Sequence, residues 1–273
     1  MQPELFLTIA LVLAGFAFLQ SRSRGGRKFS LVCFTLGTAM GVYALTHSWE
    51  CAVLAIAAWV IFPIAELVFV IRKLRVPRTR LLEDASPMEI GGDELTTLTR
   101  DMTSLGFRQA DECRLMPAMH DQYYRLFVHE TEPVHASIGC VVHNNFSFFF
   151  VSFSTEDQFG RLWLTWDYPL TYGLKVPPQM VVFRNLDAES TEDLYNSHLE
   201  FLQLNNVDKA LAPRANSRES ARDRLLKMLR AQLEHNITLG ILTPEFVGAE
   251  NYRYSWRGTL FVAGQVLKDL AGN

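Results

Sequence analysis

Residues 51–80 read CAVLAIAAWVIFPIAELVFVIRKLRVPRTR, an apolar run that turns basic at Arg72. From Cys51 to Ile71 the single ionisable side chain is Glu66. At 1.5 Å rise per residue such a helix is roughly 31 Å long, enough to cross a bilayer core. Two more apolar runs precede it, Leu5–Leu19 and Phe29–Leu45, each near the lower length limit for a span. The expectation is a transmembrane anchor within residues 1–75, with three helices at about 4–20, 29–46 and 51–71.

The flanking charges orient these runs. Arg22, Arg24, Arg27 and Lys28 follow the first, and Arg72, Lys73, Arg75, Arg78 and Arg80 follow the third. The N-terminal tail and the loop His47–Glu50 carry no Lys or Arg. The positive-inside rule then predicts a multi-pass protein of a cell (inner) membrane, N-terminus outside and C-terminal domain cytoplasmic. A cleaved signal peptide wants a basic flank first, whereas here acidic Glu4 comes first and the basic cluster afterwards. Residues 72–80 also form a basic surface suited to anionic headgroups.

Within the spans, Gly37 and Gly41 form a small-x-x-x-small pair, read as packing inside one chain before a homodimer seam. Glu66 is read as structural before it is read as an ion or proton carrier, because one polar group is too few for a transport path.

Charge divides the chain. Residues 1–80 hold nine Lys/Arg against three Glu, a balance of +6; residues 81–273 hold 17 against 26 acids, a balance of −9. An acidic domain lacks the basic footprint of nucleic-acid binders, so nucleic acid is not expected as a partner. Aromatic residues make up 12% of the chain, which implies a filled core. The four cysteines form no C-x-x-C pair, so neither structural zinc nor a disulfide scaffold is expected.

After a juxtamembrane linker at 76–92, residues 93–273 read as one cytoplasmic α+β domain. Helical spacing over Asp93–Leu105 ends at Gly106, and strands follow at 107–115, 122–130, 134–142, 146–153, 161–167 and 180–184. The hairpins make the sheet antiparallel. A turn at Thr131-Glu132-Pro133 pairs Val128 with Ala136, Leu126 with Ile138 and Tyr124 with Cys140. A turn at Asn144-Asn145 pairs Cys140 with Phe149, Ile138 with Val151 and Gly139 with Phe150. Phe146–Phe153 is apolar on both faces, as a central covered strand must be. Helices are expected at 189–204, from a capping box at Asn216 to about His235, and at 260–270, with a strand near 251–256. His198, on an apolar stripe, is expected to be a hydrogen-bonded core residue. The basic face Arg218–Arg230 is read as a solvated helix face before a leaflet-docking one.

No nucleophile elbow, phosphate loop, zincin helix, kinase signature or EF-hand loop occurs, so no catalytic residue or cofactor is assigned. The leading expectation is a membrane protein whose cytoplasmic domain binds a protein, lipid or small ligand in a sensor, adaptor or assembly role, with homo-oligomers an option. The alternative is a membrane-tethered enzyme. In the register above His129 and His135 stand opposite one another, with Glu132 in the turn, as candidate metal ligands.

Overall fold

The computed structural model describes residues 3–20, 24–85, 92–116, 121–143, 146–169, 173–209, 212, 218–246 and 248–272. The chain divides into two compact units, Met1–Val70 and Ile71–Asn273. Helices α1 (Pro3–Leu19) and α2 (Arg24–Thr46) lie in the first unit, and α3 (Trp49–Lys73) begins there with its last three residues assigned to the second. Two of them, α2 and α3, are long and apolar enough to cross a membrane; α1 is a shorter apolar helix.

Helices α1 and α2 pack through small residues. A Cβ added at Gly37 would meet the Val12 side chain at 3.2 Å, and one at Gly41 would meet Thr8 at 3.3 Å. The Ser30 hydroxyl donates to the Gly15 carbonyl at 2.8 Å, and Phe34 packs edge-on against Phe16. Gly37 and Gly41 thus lie against the α1 side chains Val12 and Thr8. In contrast, α3 leaves Val53, Leu54, Ile61 and Phe62 exposed, each above 60%.

The second unit is α+β. Its main sheet has seven strands in chain order: β2 (Leu81–Asp84), β3 (Phe107–Met116), β4 (Asp121–His129), β5 (His135–His143), β6 (Phe146–Glu156), β7 (Leu162–Trp166) and β8 (Met180–Arg184). All neighbours are antiparallel except β7 and β8, which run parallel. That departs from the wholly antiparallel expectation. The connection from 167 to 179 is long enough to return the chain to the same end of the sheet, which a hairpin is not.

One face of the sheet is covered by α4 (Asp93–Ser104) and α5 (Thr191–Leu204), the other by α6 (Arg218–Thr238). A smaller sheet, β1 (Arg75–Pro77), β10 (Asn251–Tyr254) and β9 (Leu242–Pro244), is followed by α7 (Trp256–Gly272). The stretch expected as a linker thus supplies β1 and β2, and both pair within this unit. The turn residues Asn144-Asn145 and the capping residue Asn216 lie outside the described residues.

Local chemistry sets the ends of the elements. Helix α4 stops at Gly106, whose φ of +86° is one that L side chains rarely adopt. Helix α5 begins at Ser190, whose hydroxyl accepts from the Asp193 amide at 3.1 Å, with Glu192 and Asp193 in its first turn. The β5–β6 register is as expected, with Gly139 opposite Phe150. A Cβ at Gly139 would fall 2.1 Å from the Phe150 ring, so the aromatic lies directly over the glycine.

The β4–β5 register differs from expectation by one residue. Val128 pairs with His135 and Phe127 with Ala136. Strand β4 is apolar on both faces, with Tyr123 and Phe127 as buried as Tyr124 and Leu126, so an apolar-to-apolar match could not choose between the two registers. The turn itself chooses. It is closed by the His129 amide donating to the Val134 carbonyl at 3.0 Å.

Two glycines of α7 have opposite surroundings. A Cβ at Gly258 would lie 2.2 Å from the Ile241 carbonyl oxygen, whereas one at Gly264 meets nothing within 4 Å. Gly258→Ala is expected to destabilise the protein by about 1–3 kcal/mol through forced backbone shifts. Gly264→Ala is expected to stabilise it by about 0.5–1 kcal/mol through helix propensity. Denaturant unfolding of both variants checks the pair.

Candidate functional site

A cavity of about 630 Å³ lies between the α6 face of the main sheet and the elements that cover it. Its floor is aromatic and aliphatic: Tyr124, Val141, Phe150 and Leu164 come from central strands, with Trp166 and Tyr168 at the end of β7. Edge-to-face contacts set the floor rings, with centroids 4.9 Å apart for Phe150–Tyr168 and 6.2 Å for Tyr124–Phe150. Leu225, Met228 and Leu229 form the α6 wall; Val76 and Pro77 of β1, Tyr254 of β10 and Phe261 of α7 complete it.

The rim is held by side-chain amides. Asn236, fully buried on α6, accepts from the Lys175 amide at 2.8 Å and donates to the Lys175 carbonyl at 2.8 Å and the Gln232 carbonyl at 2.7 Å. Gln232 donates to the Leu174 carbonyl at 3.2 Å, and Gln265 accepts from the Gly173 amide at 3.2 Å. Residues 173–175 are thereby fixed to both α6 and α7.

Among the described residues no lining side chain is a carboxylate, while Arg75, Arg80 and Lys175 all line the cavity. This is unexpected in residues 71–273, which hold 26 acids against 22 Lys/Arg. Arg75 is already neutralised: it pairs with Glu245 at 2.7 Å and donates to the Arg72 carbonyl at 2.8 Å. Among the described residues no carboxylate pairs with Arg80. Burial lowers its pKa, and the neighbouring phenols of Tyr124 and Tyr254 act on it in the opposite direction. Burial pushes both phenols above their ordinary value, so both stay protonated at neutral pH.

The expected metal ligands are not brought together. The one-residue shift places His129 and His135 on opposite faces of the sheet. His129 stacks on Tyr195 with ring centroids 6.0 Å apart, and its Nδ1 accepts the amides of Thr131 at 3.2 Å and Glu132 at 3.0 Å. Its job is to order the turn. The Glu132 carboxylate pairs with Lys209 at 2.9 Å. His135 faces α6, where a void of about 40 Å³ adjoins it and Arg224. Among the described residues, no group of three or more His, Cys, Asp and Glu side chains could hold a metal ion.

The other expected residues are distributed as follows. Glu66 is exposed on α3, and no basic side chain among the described residues pairs with it. Arg72 lies over the Trp256 ring at 4.1 Å; Lys73 and Arg78 are exposed. On α6, Arg222 pairs with Asp111 at 2.6 Å and Asp84 at 2.7 Å, while Arg224 and Lys227 both face Glu156. Much of the basic face is thus used within the domain.

His198 is fully buried and bridges Thr155 Oγ1 at 3.1 Å and Thr165 Oγ1 at 3.0 Å. It is the core histidine that its stripe predicted. Sequence reading missed the cavity itself, because its walls come from elements far apart in the chain. The one local signal was Arg80, which the basic run masked. Comparison with protein-family models, curated proteins and solved structures finds no match.

Two buried histidines set an acid response. Burial first, and the Arg224 charge second, hold His135 at about 3; burial, with Lys209 second, holds His198 at about 3. Both lie below the ordinary 6.5, so the unfolded chain binds more protons between the two values and stability is lost as pH falls through that window. The slope contributed by each approaches about 1.4 kcal/mol per pH unit. His135→Asn and His198→Asn should each flatten that slope, whatever they do at pH 7, in denaturant titrations run as a pH series.

Proposed function

We propose that this is a membrane-tethered binding protein. Three spans, at about 4–20, 29–46 and 51–71, anchor a cytoplasmic α+β domain that holds a small, largely apolar ligand beneath α6. The observation that carries the reading is the cavity: about 630 Å³ with an aromatic floor, inside the range of small-molecule sites. A sensor, adaptor or assembly role follows if ligand occupancy alters the surfaces that frame it.

The anchor reading is supported by the form of α3. A buried core helix of a soluble domain hides its apolar side chains, whereas α3 leaves most of them uncovered over 25 residues. Basic residues follow the first and third apolar runs, consistent with the orientation given by the positive-inside rule.

Two measurements test these parts separately. An alkaline phosphatase fused after Asn273 should be inactive in cells, and a green fluorescent protein there should fluoresce; the reverse pattern removes the orientation. Native mass spectrometry of the full chain released from mild detergent should reveal a small-molecule adduct. Leu229→Trp, which fills the cavity from α6, should lose it. An adduct retained equally by that variant would place the ligand elsewhere.

A further inference from the structure

We propose that the cavity takes an anionic amphiphile, its carboxylate or phosphate head held by Arg80 and Tyr254 and its apolar body laid on the Phe150–Trp166–Tyr168 floor. This rests on the cavity being a ligand site and names the chemistry of that ligand.

Charge makes the first argument. Of the three cations on the wall, Arg75 is satisfied by Glu245, and Lys175 stands exposed on the rim. Arg80 is partly buried and has no carboxylate or hydrogen-bond partner among the described residues. The other partly buried guanidiniums of this unit have partners: Arg114 with Asp121, Arg125 with Glu112, Arg222 with Asp84 and Asp111, Arg224 with Glu156, Arg184 with two backbone carbonyls and Arg72 with the Trp256 ring. Arg80 is thus a partly buried arginine left without such a partner among the described residues, in a unit with an excess of acids, and it lines the cavity. Removing a guanidinium from water without a counter-charge is costly, and an anion brought by a ligand offsets that cost.

Hydrogen bonding makes the second. The guanidinium offers several donors in a fixed fork that fits carboxylate and phosphate oxygens. Beside it the Tyr254 hydroxyl, on a side chain only 7% exposed, has no protein partner among the described residues and supplies a further donor. Tyr124 is already donating to Gln122 at 3.2 Å, so it frames the head without binding it.

Shape makes the third. Beyond these polar groups the cavity continues over Val141, Phe150, Leu164 and the α6 side chains Leu225 and Leu229, which offer a body nothing but apolar contact. A free inorganic anion would leave that surface uncovered. An uncharged hydrocarbon would leave Arg80 without a partner.

Equilibrium dialysis of the full chain in uncharged lipid nanodiscs, with empty nanodiscs as blank, tests this. The probes are laurate, dodecyl phosphate, dodecanol and orthophosphate. Laurate or dodecyl phosphate should bind at least about tenfold more tightly than dodecanol, the range for a hydrogen bond to a charged group. Orthophosphate should not compete. Arg80→Gln should bring the anion preference to about one, Arg80→Lys should restore part of it, and Tyr254→Phe should weaken anions alone. A preference for laurate marks a carboxylate head, and one for dodecyl phosphate a phosphate head; either supports the proposal. Equal binding of anions and dodecanol overturns the head-group assignment while leaving the cavity a ligand site. Binding of orthophosphate as tightly as dodecyl phosphate overturns the amphiphile. No binding of any probe above the blank overturns both readings. Should Arg80→Gln fail to fold, Tyr254→Phe carries the test, and an unchanged anion preference there overturns the assignment.

Discussion

Strand β6 carries large apolar side chains to both sides of the sheet, and each side has to be taken out of water by another layer. Phe149, Val151 and Phe153 join the core under α4 and α5; Phe148 and Phe150 face α6. Seven strands about 4.8 Å apart make a sheet roughly 29 Å wide, and a helix covers about 10 Å of it. Two helices close most of one face. On the other face, among the described residues, α6 is the helix packed on the main sheet, and β1, β10 and α7 line the rest of the cavity. The cavity is the space that this unequal covering leaves.

Polar groups inside the core then decide how the layers sit. His198 of α5 reaches Thr155 on β6 and Thr165 on β7, and all three are fully buried. A slip of α5 by one residue would strand these groups without partners, at a cost of about 1–3 kcal/mol for each unsatisfied one. On the opposite face Arg222 joins Asp84 of the edge strand β2, Asp111 of β3 and the Glu112 carbonyl. Asp111 can face α6 only because the β3–β4 register shifts between Gln109 and Asp111. Before the shift Phe107 points to α5; after it Cys113 and Leu115 point to α6. The bulge exchanges the faces of one strand and so lets β3 serve both cores.

Much of this fold could be read from residue order, and the parts that could not share a cause. Segments with a single apolar face were legible: α4, α5, α6 and strand β8, whose ends fall at Met180 and Arg184 as the pattern placed them. The β5–β6 register was legible too, because a turn at Asn144-Asn145 pairs Cys140 with Phe149 and Ile138 with Val151, and that alignment also sets Gly139 opposite Phe150. The β4–β5 register was not, since β4 is apolar on both sides and its turn is fixed by the His129 ring, a contact with no periodic signature. Short strands β1, β2 and β9 have too few residues to show a period at all. The parallel β8 was hidden by a connection without helical spacing. For the site, His129 and His135 seemed a pair only through the mistaken register, and the cavity walls span residues 75 to 265 with no motif joining them.

Basic residues show most clearly why position in the fold, not local sequence, assigns their roles. Arg72, Arg75, Arg78 and Arg80 form one run and read as one headgroup-facing surface. In the fold they separate: Arg72 covers an indole, Arg75 meets a carboxylate, Arg78 is exposed and Arg80 lines a cavity. The alternation of β1 and the turn into β2 send successive side chains in different directions. The same sorting acts on α6, where Arg222 and Arg224 turn toward sheet carboxylates while Arg230 stays in solvent. Where an arginine has a carboxylate within reach, the pair ties two elements together and its charge is already answered. Arg80 differs from these in having the cavity where the others have an acid, and that difference separates it from a run that looked uniform.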